Sequence, residues 1–482
     1  MTNISDYLFK HAKNNPDKIF LIVGKECFTF KEIFDKVEKV SSNLNNFSKN
    51  SIISIMFENS LEFVISYLAI IKIGQIVHIM SPTISKENFL KQINSCEPVI
   101  ILTLKKFKNL FEDVNTNKQF IDFYELDKQN STYENNEKSE FTSLLYTSGT
   151  TSSPKGVKIK NSNIIFTTKN ISNVLDYNNK DVDVIPLSLS HSFGLGCLHT
   201  SLYNGSTIIL HKNTMNILDI LDSILENNAT TFAAVPATLT MLVNDFPEKF
   251  VEKCYGLRLI ITNSTKISKS TTKKILKLLP KTKLATYYGL TEASRSTFMI
   301  FNDNDGKEES VGKAAPGVEI KIVKENNELK NGEIWIKGEN VIESYWNSEF
   351  SDKFEEGWIK TGDLGFLENE YLYLTGRKDH IINVGGEKVH PEEVENIVKK
   401  IPYIDDVIAL GVEHELFGQV IKIIIKTSDE SKIDTNSIIT HCKKNLERFK
   451  VPREIEFVPE FPRNEHGKII RHMLEKNYHE NK

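Results

Sequence analysis

The residues best suited to chemistry form a loop from Tyr146 to Gly156, with the sequence Tyr-Thr-Ser-Gly-Thr-Thr-Ser-Ser-Pro-Lys-Gly. Its hydroxyl groups and small side chains expose donors for phosphate oxygens, and Lys155 adds a positive charge at the end of the loop. This set suits a nucleoside triphosphate. It is not a Walker A loop, because no Gly-Lys-Ser or Gly-Lys-Thr closes it and no helix clearly follows. By composition alone, the stretch is more typical of a polar surface turn.

Four other segments carry side chains that could act on a nucleotide or an acid. In the segment Tyr287 to Glu292, Tyr-Tyr-Gly-Leu-Thr-Glu, the Glu292 carboxylate suits Mg²⁺, which usually joins substrate phosphates to few protein ligands. A lone Thr-Glu pair is otherwise typical of a helix N-cap. Taken singly, Asp363 is typical of a turn, Lys468 of a solvated surface charge, and His191 of a structural histidine. No one of these residues identifies a site.

Taken in order, the segments resemble the signature motifs of the adenylate-forming (AMP-binding) enzyme superfamily, which includes acyl-CoA synthetases, adenylation domains and firefly luciferase. Five motifs follow one another in family order, and the resemblance extends over essentially the whole chain. It implies that the first loop holds the β and γ phosphates of ATP. The residues implied there are Thr147, Ser148, Gly149, Thr150, Thr151 and Lys155.

The same resemblance assigns roles around the second motif. Thr291 and Glu292 serve the α-phosphate and Mg²⁺, Tyr288 stacks near adenine, and His191 lies at the mouth of the acyl pocket, where it positions the carboxylate or pyrophosphate and gates the pocket. The stretch around Asn263 corresponds to the family segment that lines adenine and the acyl group. The residues implied to bind substrate in these two segments are Asn263, Ser264, Thr265, Tyr287, Tyr288 and Gly289.

Three further motifs lie in the last quarter of the chain. By resemblance, Asp363 of Thr-Gly-Asp accepts hydrogen bonds from both ribose hydroxyls, and Arg377 contacts ribose and phosphate. Asp379 is implied as the hinge about which a small domain swings, and Gly385-Gly386 as part of the loop that meets the thiol channel of CoA. Lys468 is implied as the catalytic residue of adenylation.

The chain departs from the family pattern at four positions. Ser152 stands where the phosphate loop usually has Gly, and Asn263 and Ser264 stand in place of a Gly-Gly pair. Asn464 replaces the Thr that usually precedes the C-terminal Gly-Lys, and it keeps a side chain able to hydrogen-bond.

The elements that must position these residues are predicted by their patterning. Short β-branched runs alternate with amphipathic stretches, which indicates a layered α/β fold of parallel strands and crossover helices. The apolar run Phe63 to Ile73 is about half the ~20 residues of a membrane span, and we predict a core helix there. Polar stretches at 127–140 and 302–310 predict exposed loops. The predicted strands are Ile52–Met56, Val99–Leu102, Thr207–Leu210 and Leu257–Ile261.

The pattern changes toward the C-terminus. After Val318, short strands with Gly turns predict a β-rich, more antiparallel portion, and from Pro391 onward helix, strand, strand, helix and strand follow, enough for a small α+β domain. With 482 residues the chain is long enough for about three domain-sized units. We predict a large N-terminal domain of layered α/β subdomains, residues 1–376, and a small, mobile α+β C-terminal domain, residues 377–482.

Composition limits the partners and the compartment. Lys and Arg number 60 against 64 Asp and Glu, a net charge of −4, so no global positive field exists to hold nucleic acid or an anionic membrane. The five cysteines are scattered without a Cys-x-x-Cys pair, and the N-terminus has no basic stretch followed by an apolar one. We therefore expect no nucleic-acid partner, no stable membrane insertion and a cytoplasmic location.

The resemblance implies an ATP-dependent acid–thiol ligase that uses Mg²⁺ and CoA. A carboxylate attacks the α-phosphate of ATP and expels pyrophosphate, and catalysis is mainly positioning and neutralisation of charge. The small domain then rotates, so that the thiol attacks the acyl-adenylate and AMP leaves. No covalent nucleophile is required, which agrees with the absence of a clear Ser-His-Asp or Cys-His arrangement.

Alternatives remain open from the sequence. A stand-alone adenylation enzyme could load the phosphopantetheine of a separate acyl or peptidyl carrier protein, a luciferase-like oxygenase shares the first step, and a non-catalytic module would only bind nucleotide. The acyl-pocket candidates are apolar and hydroxylated, which favours an aliphatic or aromatic acid. The sequence has no Asp near His191 of the kind that binds the α-amino group in amino-acid adenylation domains, which disfavours an α-amino acid. These candidates are His191–Cys197, Val235–Thr238, Asn263–Thr265 and Tyr287–Tyr288.

Overall fold

The structure is a computed structural model. It describes residues 3–44, 47–48, 50–111, 114, 116–127, 139–147, 155–304, 306–324, 330–346, 352–384, 387–414, 418–427, 434–463, 469–471 and 473–474. Two compact units are present, one of residues 1–320 and 336–359 and one of residues 321–335 and 360–482. The predicted domain boundary between residues 376 and 377 stays a prediction.

The helices and strands are numbered in chain order. The helices are α1 (Ser5–Asn14), α2 (Phe30–Asn43), α3 (Leu61–Lys72), α4 (Lys86–Cys96), α5 (Lys105–Lys108), α6 (Phe123–Asp127), α7 (Asn161–Val174), α8 (Ser192–Asn204), α9 (Ile217–Glu226), α10 (Pro236–Asp245), α11 (Pro247–Cys254), α12 (Lys269–Leu278), α13 (Pro391–Val398) and α14 (Thr435–Asn445). The strands of the first unit's two large sheets are β1 (Ile19–Val23), β2 (Glu26–Thr29), β3 (Ile52–Met56), β4 (Ile76–Met80), β5 (Ile100–Thr103), β6 (Phe120–Asp122), β7 (Phe141–Thr147), β8 (Lys155–Lys160), β9 (Val182–Ile185), β10 (Thr207–Leu210), β11 (Thr231–Ala233), β12 (Leu259–Thr262), β13 (Lys283–Tyr288), β14 (Thr297–Ile300) and β15 (Lys313–Ala314). The remaining strands are β16 (Val318–Val323), β17 (Gly332–Gly338), β18 (Phe354–Glu355), β19 (Trp358–Glu368), β20 (Tyr371–Arg377), β21 (Ile382–Val384), β22 (Glu387–Val389), β23 (Asp406–His414), β24 (Gly418–Lys426) and β25 (Glu454–Phe457).

The first sheet has six strands in the order β6-β5-β3-β4-β7-β8. Its strands pair in parallel except at the edge, where β8 runs antiparallel to β7. Helix α3 begins where the Ser60 hydroxyl accepts a hydrogen bond from the Phe63 amide, and nine consecutive residues from Phe63 to Ile71 are buried. The prediction of a core helix in this run is confirmed.

The second sheet has nine strands in the order β15-β14-β13-β12-β11-β9-β10-β1-β2. Its central strands, β9 to β13, pair in parallel, as expected where helices connect successive strands. Strand β1 joins it from the far N-terminus, where Leu21 pairs with Ile208 of β10. At the other side, β14 pairs antiparallel with β13. The segment between these two strands contains the second motif.

Two smaller sheets complete the described chain. One has the order β16-β17-β19-β18, with β20 also paired to β19, and its β18–β19 and β19–β20 pairs are antiparallel. The other has the order β22-β21-β24-β23, with β25 parallel to β24. The predicted antiparallel portion and the predicted order of helix, strand, strand, helix and strand after Pro391 are present.

The structure confirms the predicted fold class and corrects part of one loop. In the predicted loop 302–310, Asn302, Asp303, Gly306 and Glu309 are exposed as expected, whereas Glu308 and Ser310 are buried. The Glu308 carboxylate lies 3.4 Å from the Lys269 ammonium and 3.6 Å from the Lys273 ammonium. The two lysines therefore hold Glu308 in a buried position, although the polar composition of this segment predicts exposure to solvent. Residues 128–138 of the other predicted loop lie outside the described residues. No helix in the described parts of the chain is long and apolar enough to cross a membrane.

Candidate active site

The phosphate loop connects the antiparallel strands β7 and β8. Thr147, the last residue of β7, is paired with Lys155, the first residue of β8. The strand after the loop agrees with the exclusion of a Walker A motif, in which a helix would follow. The next residue, Gly156, is required by close packing, because a Cβ there would lie 2.9 Å from the Trp346 Cβ. The Trp346 amide donates to the Gly156 carbonyl at 2.7 Å.

The second motif forms a tight turn after β13. Leu290 and Ala293 exchange two backbone hydrogen bonds, at 3.0 and 3.2 Å. A Cβ on Gly289 would lie 2.5 Å from the Arg295 backbone nitrogen, so a side chain at this position would collide with the turn. Thr291 and Glu292 lie inside this turn and not at the start of a helix. The helix N-cap interpretation of the Thr-Glu pair therefore does not hold.

Tyr345 contacts residues of both motifs. Its hydroxyl donates to Oε1 of Glu292 at 2.8 Å, and the Lys155 ammonium lies 5.9 Å from the centroid of its ring. The Ile342 amide donates to the Glu292 carbonyl at 2.9 Å, which fixes the backbone beside the carboxylate. Tyr345 therefore contacts both Lys155, at the end of the predicted phosphate loop, and Glu292, the predicted magnesium ligand. The sequence analysis missed Tyr345, because 53 residues separate it from Glu292.

The donor set around Glu292 fits a hard cation. A carboxylate oxygen is the ligand type that Mg²⁺ prefers, and the Tyr345 hydroxyl engages Oε1 rather than the whole carboxylate. In the described part of the chain, no group of three or more His, Cys, Asp or Glu side chains is placed to hold a metal by itself. An ion at Glu292 would therefore complete its shell with phosphate oxygens and water.

His191 immediately precedes α8 and its side chain makes no capping hydrogen bond there. The first turn of α8 is packed tightly: a Cβ on Gly194 would lie 2.3 Å from the Ser188 carbonyl oxygen. Phe193 contacts Tyr287 edge-on, with ring centroids 5.5 Å apart. The segment that contains His191 and the strand that leads into the second motif therefore pack against each other.

Arg295 lies between these two elements, and the sequence analysis also missed it. Its side chain is 5% exposed, and its guanidinium carbon lies 4.8 Å from the centroid of the Tyr287 ring. The guanidinium donates to the carbonyls of Ser192 and Phe193 at 3.2 to 3.3 Å and to the Ser294 hydroxyl at 2.7 Å. The expected apolar and hydroxylated pocket therefore has a buried cation beside it. One signal was available, since Arg295 is one of two arginines before residue 377.

The predicted adenine segment follows β12. Ser264 has φ +92°, in the region that favours glycine, so the backbone keeps a glycine-like conformation although the family's glycine is absent. The Asn263 and Thr265 side chains are partly or fully exposed beside it. Tyr287 is buried, which raises the pKa of its phenol to about 12, and the Tyr288 amide donates to the Thr297 hydroxyl at 3.2 Å.

The predicted ribose residues lie in the second unit. Asp363 of β19 and Arg377 of β20 are paired across the strands, and Arg377 Nη1 donates to Asp363 Oδ1 at 2.8 Å. Asp379, the predicted hinge, lies in a 3₁₀ turn, Lys378–His380, directly after β20. The remaining predicted residues lie outside the described residues: Ser148, Gly149, Thr150, Thr151, Gly385, Gly386 and Lys468.

A cavity of about 50 Å³ lies beside the turn. Thr291, Ser294 and Arg295 border it from the turn, and Ser192 and His199 border it from α8. The rest of its wall combines Leu and Ile side chains with uncharged polar ones. Burial, and next the Arg295 charge, lower the pKa of His199 to about 3, so this imidazole is neutral. The cavity therefore contacts the residue predicted to serve the α-phosphate and a single fixed positive charge.

Comparison with known proteins identifies the family. Residues 8–346 match the family described as AMP-binding enzyme, and residues 393–468 match the AMP-binding enzyme C-terminal domain. The chain is 28% identical to a 2-succinylbenzoate–CoA ligase of Bacillus subtilis (strain 168) and 28% identical to an oxalate–CoA ligase of Arabidopsis thaliana, covering 98% of each chain in both comparisons.

Solved structures give the same result. The o-succinylbenzoate CoA synthetase (MenE) of Bacillus subtilis, in complex with the acyl-adenylate intermediate OSB-AMP, has a TM-score of 0.87 at 28% identity, over 97% of each chain. ATP-bound MatB from Rhodopseudomonas palustris has a TM-score of 0.91 at 22% identity over 99% of each chain and supports the fold. The predicted resemblance, fold class and enzyme class, an acid–thiol ligase, are confirmed, and the chain belongs to the AMP-binding enzyme family.

Proposed function

We propose that this chain activates a carboxylic acid as its acyl-adenylate, with release of pyrophosphate from ATP, and transfers the acyl group to the thiol of CoA. The observation that carries the proposal is the position of Tyr345, which contacts Lys155 at the end of the phosphate loop and Glu292 in the Thr-Glu turn. One aromatic side chain thereby links a cation suited to a triphosphate with a carboxylate suited to Mg²⁺.

The chemistry explains the use of ATP. A carboxylate is a poor acyl donor because its leaving group would be oxide, whereas an acyl-adenylate releases AMP. Lys155 and the loop before it bind the β and γ phosphates, and Thr291 binds the α-phosphate. Glu292 would hold Mg²⁺, which would supply positive charge to offset that of the triphosphate. His191 orients the incoming carboxylate or pyrophosphate at the pocket mouth.

The ribose and the second half-reaction involve the C-terminal residues. Asp363 accepts hydrogen bonds from ribose hydroxyls and Arg377 contacts ribose and phosphate; their own ion pair, at 2.8 Å, holds both side chains in position. Lys468 stabilises the charge that develops between the carboxylate and the α-phosphate during adenylation. Rotation of residues 377–482 about Asp379 then replaces Lys468 by the Gly385-Gly386 loop, where the CoA thiol attacks.

The acid substrate is identified by assay of a defined panel. The relatives named above act on 2-succinylbenzoate and on oxalate, so both acids belong in the first assay. Each is paired there with a monocarboxylic acid of related skeleton, 4-oxo-4-phenylbutanoate and acetate, together with longer aliphatic and aromatic acids. We propose a cytoplasmic location on the scattered cysteines, all five of which are free thiols.

The test is ATP–pyrophosphate exchange across this panel, followed by AMP release with either CoA or a phosphopantetheinylated carrier protein as acceptor. We expect exchange with at least one acid, and AMP release that depends on CoA. Glu292→Gln should lower exchange by about 100-fold, since it removes the charged ligand of the metal. Exchange with no acid would identify a nucleotide-binding module without ligase activity, and AMP release with carrier protein alone would identify the carrier-loading enzyme.

A further inference from the structure

Arg295 is a buried charge with no acidic partner among the described residues. Its side chain is 5% exposed, and in the described part of the chain no carboxylate lies within ion-pair distance of its guanidinium. Arginine stays protonated in proteins, so burial cannot discharge it. Burial of an ion is unfavourable unless the ion is paired and hydrogen-bonded. The positive charge therefore requires an explanation.

Arg258, the other arginine of the first unit, shows how this protein treats such a charge. It is more exposed than Arg295, yet its guanidinium donates twice to the buried Asp181 carboxylate, at 2.7 and 2.6 Å. That geometry is the bidentate pair that arginine prefers. Within the described part of the chain, the acceptors of Arg295 are all neutral: the carbonyls of Ser192 and Phe193 and the Ser294 hydroxyl. These acceptors supply no compensating negative charge.

The hydrogen-bonding capacity of Arg295 is also incomplete. Its Nε is buried and has no hydrogen-bond partner among the described residues. The Tyr287 ring, 4.8 Å from the guanidinium carbon, offers only a cation–π contact. His199 is neutral and pairs with the Tyr67 hydroxyl at 2.7 Å, so it neither repels the guanidinium nor neutralises it. A carboxylate would supply the missing charge and an acceptor for Nε.

The cavity beside Arg295 leads to the reacting end of the site. Thr291, which we propose for the α-phosphate, and Arg295 border the same cavity, and its volume of about 50 Å³ is small. An acid that places one carboxylate near Thr291 therefore has its far end close to the guanidinium. Arg295 is the only charged side chain among the described residues that line this cavity, so a second carboxylate bound there would pair with its guanidinium.

We propose that Arg295 binds a second carboxylate of the acid, so that the substrate is a dicarboxylic acid of which one carboxyl group is adenylated and the other pairs with this guanidinium. The proposal rests on the proposed function and specifies its substrate class. A monocarboxylic acid of the same skeleton would leave the buried guanidinium of Arg295 without a carboxylate. Sites built to bind a polar group reject analogues that lack it by large factors, up to about 10⁴ to 10⁵.

Arg295 also has a structural role that the test must separate from binding. Its guanidinium packs on α8 where Gly196 leaves room, since a Cβ at Gly196 would lie 2.0 Å from Nη2. Loss of the side chain therefore removes contacts to the first turn of α8. A purely structural role would lower activity toward all acids alike and would reduce thermal stability, whereas a binding role changes the preference between acids.

The experiment compares matched acids by pyrophosphate exchange and by kcat/KM for CoA thioester formation. The pairs are malonate and propionate, succinate and butyrate, and 2-succinylbenzoate and 4-oxo-4-phenylbutanoate. We expect the wild type to prefer the dicarboxylic member of at least one pair by about 100-fold or more. Arg295→Gln should reduce that preference by about 100-fold, and Arg295→Lys, which keeps the charge but loses the planar fork, should give an intermediate ratio.

Lys249→Gln, which removes an exposed cation from α11 of the same unit, should leave the ratio unchanged. Equal use of both members of every pair by the wild type, or an equal loss on both members in Arg295→Gln, would overturn the proposal. If Arg295→Gln does not fold, as shown by thermal unfolding, the wild-type ratios and Arg295→Lys decide. Exchange with neither member of any pair nor with any other acid would instead contradict the proposed function.

Discussion

At the scale of single residues, Tyr345 is a positioning residue for the proposed metal ligand. Its hydroxyl donates to Glu292 at 2.8 Å, and hydrogen bonds to charged groups contribute about 1.5–3 kcal/mol. We predict that Tyr345→Phe folds normally but needs about tenfold more Mg²⁺ for half-maximal pyrophosphate exchange, because the carboxylate is no longer held. The matched control is Tyr255→Phe, which changes a tyrosine that is 70% exposed. An unchanged Mg²⁺ dependence in Tyr345→Phe would contradict this role.

Ser264 gives a second prediction at this scale, for stability. Its φ of +92° is unfavourable for any side chain, and the residue is exposed, so substitution alters little packing. We predict that Ser264→Gly is more stable than Ser264→Ala by about 1 kcal/mol, because both remove the hydroxyl and only glycine removes the Cβ. Chemical denaturation of the two variants measures the difference. Equal stability would show that the backbone relaxes around residue 264.

The residues that the sequence could predict are those inside a motif. Lys155 and Glu292 were found because their neighbours in sequence carry a recognisable order. Tyr345 and Arg295 were not, because their functions depend on contacts across 53 and about 103 residues of chain. Such contacts leave no local pattern.

At the scale of elements, local sequence patterns predicted the type and order of helices and strands better than they predicted which strands pair. Strand β10 has the predicted bounds Thr207–Leu210, and the five elements after Pro391 follow in the predicted order. The partners of those strands were not predictable. Strand β1 pairs in parallel with β10 across nearly 190 residues, and β13 changes from a parallel neighbour on one side to an antiparallel one on the other. The choice of partner strand depends on which buried faces meet in the folded chain, and these faces are far apart in sequence.

Helix α13 carries a pH-sensitive group in its first turn. Burial raises the pKa of Glu392 to about 7, with a smaller rise from Glu395, while the charges of Arg471 and Arg377 oppose the shift. A carboxyl group that holds its proton longer in the folded state makes stability fall as the pH rises from its unfolded pKa, near 4.5, to about 7. Above that range both states are ionised and the effect is constant.

We therefore predict that Glu392→Gln gains stability relative to the wild type as the pH is raised from 5 to 8, by about 1–3 kcal/mol, because the amide does not ionise. Denaturant unfolding at these two pH values measures the change. Glu413→Gln, at an exposed position of β23, serves as the control and should show no such trend. A stability difference that is independent of pH would mean that Glu392 is solvated in the folded protein.

At the scale of the whole molecule, a protein with a net charge of −4 has to bind a polyanion. We propose that individual cations, such as Lys155 and Arg377, hold the phosphates instead of a global field. Cationic side chains attract the phosphates only over short distances, because salt screens interactions between exposed charges beyond about 10 Å. Binding of ATP should accordingly depend on individual residues more than on ionic strength.

In the proposed mechanism the two half-reactions make opposite demands on the C-terminal residues, which gives a prediction for the chain as a whole. Asp379 lies in the 3₁₀ turn between β20 and β21, and proline there would fix φ near −65° and remove the amide donor. We predict that Asp379→Pro keeps pyrophosphate exchange within about threefold but loses about 100-fold in CoA-dependent AMP release, because a hinge must change its φ and ψ between the two steps. Asp379→Ala, whose backbone stays free, should retain both steps.

Lys468→Ala should show the reverse of the proline variant, with adenylation lost and thioester formation from a supplied acyl-adenylate retained. Equal loss of both half-reactions in either variant would mean that the two steps use one arrangement of the C-terminal residues.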